Sequence, residues 1–149
     1  MQLVPEWAPN IHPLVVHFPI ALLSLAVVVS LVEVFFKPEW VNRSRLWLYI
    51  LGSLGLVVTL LSGRAAADSV SPPFSAEMTL SSHSDSAYTA LWYFLAFTLI
   101  QLVLPRFMKV DKTWVRLVYF LIACFGLYLL ITTGELGAKL VYKYGVGTP

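Results

Sequence analysis

Residues 10–36, NIHPLVVHFPIALLSLAVVVSLVEVFF, decide the fold. From Phe18 to Phe36 the only charged side chain is Glu33, and about 20 such residues in a helix cross a hydrocarbon core. Apolar runs of similar length recur at 46–67, 87–104 and 115–133. Composition agrees: 58% of the residues are hydrophobic and 12% charged, against roughly 45–50% and 25% in a soluble domain. Strands of a membrane barrel would alternate apolar and polar side chains, and open sheet edges go unsatisfied in lipid. The expectation is an all-α, polytopic four-transmembrane-helix bundle forming a single membrane domain over 1–149. Its helices are expected at about 13–36, 44–67, 84–105 and 113–143, with both termini on one side.

Other classes are excluded by what is missing. The net charge is +2, but the basic residues sit between the apolar runs and form no soluble patch for nucleic acid. The lone Cys124 lies inside the fourth run, which rules out a disulfide framework and a covalently attached c-type haem. The N-terminal MQLVPEWAPN has no positive stretch, so no cleaved signal peptide is expected. Lys37, Arg43 and Arg45 lie between the first two runs, and Arg106, Lys109, Lys112 and Arg116 between the last two. Basic residues gather on the cytoplasmic side, which places both termini and residues 68–85 outside, in the periplasm for a bacterial inner membrane. The Ser- and Pro-rich outer loop should be irregular, with Ser82 or Ser84 capping the third helix. Trp40, Trp47, Trp92 and Trp114, with Tyr49 and Tyr93, fall near span ends as expected interfacial anchors. Glu33 and Lys37, i and i+4, should pair on the first helix.

All three histidines, His12, His17 and His83, fall on the expected outer side. His12 and His17 are about 140° apart around a helix, so each looks toward a different neighbour. Helix one reads His17, Ala21, Ser24, Val28 and helix three His83, Ala87, Ala90, Phe94 at the same offsets. The second and fourth helices also echo each other, in LLSG ending at Gly63 and LITTG ending at Gly134. This pattern suggests a parallel repeat of two helical hairpins about an axis along the membrane normal. It would set His17 opposite His83, with Ala21 and Ala87 leaving a flat slot and Gly63 and Gly134 allowing close approach. A b-type haem uses two axial imidazoles in such a setting, with Arg64, Lys139 or Tyr142 to meet its propionates. The same histidines with Asp68, Asp85 or Glu135 could instead form a zinc or copper sphere. Small residues at four-residue spacing also serve plain helix packing in membranes. No nucleophile elbow accompanies Ser81, Ser82 and Ser84 beside His83.

The segment NIHPLVVHFPIALL at 10–23, the outer His83 and the tail TGELGAKLVYKYGVG at 133–147 together resemble the bacterial membrane family known as domain of unknown function 2231, over nearly the whole chain. The matching positions are His12, His17, His83, Gly134, Gly137, Tyr142 and Gly145. Related segments joined to cytochrome c-type domains imply electron transfer by analogy. Two departures stand out: Gly137-Ala138 replaces paired glycines, and Tyr144 stands where some members carry His. Taken together, the expected function is electron transfer by a b-type haem on His17 and His83, with His12 nearby, between the quinone pool and a periplasmic acceptor such as a cytochrome c. The alternatives are an accessory or assembly subunit of a larger membrane complex, and a zinc- or copper-binding membrane protein.

Overall fold

The computed structural model describes residues 10–107 and 112–147. Prolines punctuate the chain. Pro13 stands in the first turn of α1 (His12–Phe35), Pro38 caps α2 (Glu39–Asp68) in an extended conformation, and Pro73 precedes a short 3-10 turn, Phe74–Ala76. That turn runs directly into α3 (Glu77–Val103), a second 3-10 turn covers Leu104–Arg106, and α4 spans Thr113–Tyr142. Proline at a first turn loses no hydrogen bond, because that N–H has no intrahelical partner. At the far end, Gly145 takes a φ of 66°, which lets Val146 N–H fold back onto the Leu140 carbonyl at 2.9 Å.

The helices alternate in direction, α1 packing on α2 and α4, and α3 on α4 and α2, so α1 and α3 stand diagonally. All four are long and apolar enough to cross a membrane, and no strand occurs among the described residues. α1 and α3 have 24 and 27 residues, and α2 and α4 have 30 each, or roughly 36–45 Å at 1.5 Å per residue. Their outward faces are apolar: Phe18, Leu61, Trp92 and Ile131 are all more than 60% exposed. The core holds Leu23, Tyr49 and Phe94, each fully buried. Tyr49 meets Phe97 edge-on at 5.3 Å. Inside this layer hydroxyls pair with one another, Ser30 with Tyr49 at 2.9 Å and Ser53 with Thr98 at 2.9 Å, as buried polar groups must.

The repeat is visible in what is buried. Pro19, Leu23, Ala26, Val27 and Ser30 of α1 map at one constant offset onto Ala90, Phe94, Phe97, Thr98 and Gln101 of α3. Arg45, Tyr49, Gly52, Leu56 and Ala66 of α2 map likewise onto Tyr119, Ala123, Gly126, Leu130 and Leu140 of α4. Equivalent contacts follow. A Cβ on Gly52 would lie 2.6 Å from Leu23, and one on Gly126 would lie 2.7 Å from Phe94. Both glycines exist so that the two helices of a hairpin can touch.

Two local expectations are corrected. α3 begins at Glu77, well before Ser82 and Ser84, and the Ser82 hydroxyl donates to the Met78 carbonyl inside the helix. The helix starts early because Pro72 and Pro73 end the irregular stretch and Glu77 suits a first turn. Glu33 does not pair with Lys37. Its carboxylate turns inward to Arg45 and Arg116, while Lys37 donates to Thr113 at 2.6 Å.

Candidate functional site

The two repeats place one histidine each at the same end of the bundle. His12 opens α1 and packs on α2, where a Cβ on Gly63 would come within 3.0 Å of the ring. His83, early in α3, packs on α4 in the same manner, 3.1 Å from where a Cβ on Gly137 would stand. Each ring is anchored from the same side. Ser62 donates its hydroxyl proton to the Thr59 carbonyl at 2.9 Å, so its oxygen accepts from Nδ1 of His12 at 3.0 Å. The Thr59 carbonyl itself also bears on that ring. At the equivalent position in the second repeat, the Thr133 carbonyl accepts from Nδ1 of His83 at 3.0 Å. A donor role at Nδ1 fixes the tautomer and leaves Nε2 with its lone pair. The two imidazoles, from diagonal helices, lie within electrostatic range of each other. Both are half-buried.

The sequence pairing of His17 with His83 is therefore revised. His17 lies on the exposed face of α1 and its Nδ1 donates to the Pro13 carbonyl of its own helix at 2.7 Å. Aligning helix one from His17 puts the repeat out of register, since no buried position of α1 then falls on a buried position of α3, whereas with His12 and His83 equivalent the buried sets and the glycine contacts of both hairpins coincide. Ala21, one turn along from His17, shares its exposed face, whereas Ala87 below His83 is half-buried. Gly134 is exposed, and a Cβ there would meet nothing within 4 Å. The close approach in helix four belongs to Gly137, and in both hairpins the glycine clears room for an imidazole. Arg64 is exposed and Tyr142 is 89% exposed. Lys139 pairs with Glu135 at 2.8 Å on the surface, and Asp68 and Asp85 are exposed as well. Among the described residues no three His, Cys, Asp or Glu side chains gather as a metal sphere.

Thr133 lies in the LITTG stretch and opens the tail motif, but only the repeat in its correct register singles out its carbonyl and that of Thr59 as supports. Tyr144 lies beyond α4, where hydrogen bonding with Thr79 and then Lys143 holds its phenol below its ordinary range. Thr79 is one turn before His83 on α3, so this phenol lies at the histidine end of the bundle.

No curated protein and no solved structure matches the chain. A family model described as a predicted membrane protein, DUF2231, matches residues 8–149. The four spanning-length helices fit that description, and with the match covering nearly the whole sequence the chain belongs to this family.

Proposed function

We propose that the protein is a membrane electron carrier in which His12 and His83 ligate the iron of a b-type haem. The supporting observation is the matched pair itself: two imidazoles from diagonal helices, each held at Nδ1, with no third ligand gathering beside them among the described residues. A haem iron already has four nitrogens from its macrocycle and needs two axial ligands. Structural zinc takes four protein ligands and catalytic zinc three, so a two-histidine set favours haem over zinc. Anchoring at Nδ1 sets ring orientation and strengthens the ligand nitrogen, as in other histidine metal sites.

With the basic loops on the cytoplasmic face of a bacterial inner membrane, the site opens toward the periplasm. That position suits one-electron traffic between a membrane quinol and a soluble acceptor such as a cytochrome c. The test is a dithionite-reduced minus oxidised spectrum of protein purified from a haem-sufficient host. A low-spin b-type signal is expected, lost or converted in His12→Ala and His83→Ala and retained in His17→Ala. Colourless protein with stoichiometric zinc or copper would move the two histidines to a metal-binding role. Colourless, metal-free protein in which both variants fold normally would leave the role of an accessory subunit in a larger complex.

A further inference from the structure

Among the described residues, the end of the bundle opposite the histidines buries two guanidiniums and one carboxylate. Glu33, 5% exposed, faces Nε of Arg45 at 2.5 Å and Nε of Arg116 at 3.7 Å. The Arg45 and Arg116 side chains are 6% and 14% exposed. One carboxylate thus stands between two guanidiniums. Among the described residues, Lys37 and Arg43 at this end turn outward, to Thr113 and to Glu39 on the surface. Several polar atoms in the layer are sealed from solvent yet have no hydrogen-bond partner: Nη1 of Arg45, Nη1 of Arg116, both amide atoms of Gln101 and the Tyr119 hydroxyl. Gln101 is 2% exposed. These groups share one level of the bundle. The Arg45 guanidinium lies 6.0 Å from the Tyr119 ring centre, Tyr119 meets Phe97 at 6.1 Å, and Gln101 follows Phe97 by one helical turn.

A guanidinium cannot escape burial by giving up its proton, and an uncompensated charge in a low-dielectric interior is strongly unfavourable. Orphaned donors add to that cost. One negative charge placed among the donors compensates the excess positive charge and gives those donors an acceptor. We propose that this layer binds a single monovalent anion of halide size, held by Nη1 of Arg45, Nη1 of Arg116, the Gln101 amide N–H and the Tyr119 hydroxyl. The donor atoms are sealed from solvent, which favours a small sphere over a bulky oxyanion. Arg116 is the more exposed of the two arginines, at 14%. This site is independent of the histidines and of any cofactor they hold.

The test uses the full chain purified in detergent, with thermal unfolding followed in sodium chloride and in sodium gluconate at equal ionic strength. Chloride should raise the melting temperature in a saturable way, by about 3 °C or more once it is well above its dissociation constant, and gluconate should not. Arg116→Gln and Gln101→Leu should each flatten the chloride dependence. Gln101→Leu keeps all charges, so it serves if the arginine variant fails to fold. Glu33→Gln should steepen the dependence, because it leaves two guanidiniums with no carboxylate; a merely structural carboxylate would give no such gain. Equal melting in chloride and gluconate for both wild type and Glu33→Gln would overturn the proposal. So would a rise with inorganic phosphate but none with chloride, since the site would then not be of halide size.

Discussion

At the scale of single residues, the glycines separate what touches from what merely repeats. A methyl at Gly52 overlaps Cδ2 and Cγ of Leu23 at 2.6 Å, in the centre of the core. Gly52→Ala should therefore cost about 1–3 kcal/mol through overpacking, read as a lower melting temperature in detergent. Gly134→Ala should do the reverse, gaining up to about 1 kcal/mol of helix propensity, because nothing lies within 4 Å of the added methyl. Gly137→Ala is the informative third case. Its Cβ would press on Cε1 of His83 at 3.1 Å, so the ring must shift. If the proposed haem is bound, the expected result is a folded protein with an altered reduced-minus-oxidised spectrum, and an unchanged spectrum would count against His83 as its ligand. The motif showed that glycines in the last helix matter, but not which one. Gly134 and Gly137 stand about one turn apart on neighbouring flanks of α4, and only knowing where α3 packs decides between them. His12 and His17 pose the same problem: both stand near the start of one helix, and the partner helix determines which of them turns inward.

At the scale of elements, the number and places of the helices were legible because apolar runs of spanning length have few other outcomes. Their starts and pairings were less so. Local rules favoured Glu33 with Lys37, four residues apart on one helix, yet a carboxylate facing the bundle gains more from two guanidiniums on α2 and α4 than from an exposed ammonium. Arg45 lies within α2, not in the loop before it, because Pro38 starts that helix early. Two substitutions distinguish the local pairing from the tertiary one. Glu33→Ala should destabilise by about 3–5 kcal/mol, since it strands two buried cations, whereas Lys37→Ala should leave the melting temperature unchanged. Comparable losses from both would restore the pairing along α1. The repeat was readable in outline for the same reason that it was misaligned. Apolar helices match one another at many offsets, and the buried set that picks the right one depends on the second hairpin.

At the scale of the whole molecule, the bundle has two unlike ends, and the remaining step is which faces the cytoplasm. Basic residues in short loops set orientation, and counts should cover those that meet the interface. Arg45 and Arg116 do not, because they are folded into the core against Glu33. Removing them narrows the margin but leaves Lys37, Arg43, Arg106, Lys109 and Lys112 in the sequence at the arginine end, against Arg64, Lys139 and Lys143 at the histidine end. Lys139 is also paired with Glu135, although acidic residues weigh little in this rule. The bias still points the arginine end inward. A reporter fused after Pro149 should therefore register the periplasm of a bacterial host, and one inserted near Asn42 the cytoplasm. Neutralising Lys37, Arg43, Arg106, Lys109 and Lys112 together should weaken or invert that pattern, while Arg45→Gln and Arg116→Gln should reduce the amount of folded protein without changing its orientation. If the two arginine variants reoriented the chain as readily as the loop variants, the buried charges would be acting before the bundle closes around them. If the wild-type reporters read in the opposite sense, His12 and His83 would face the cytoplasm, and a periplasmic electron acceptor would be ruled out.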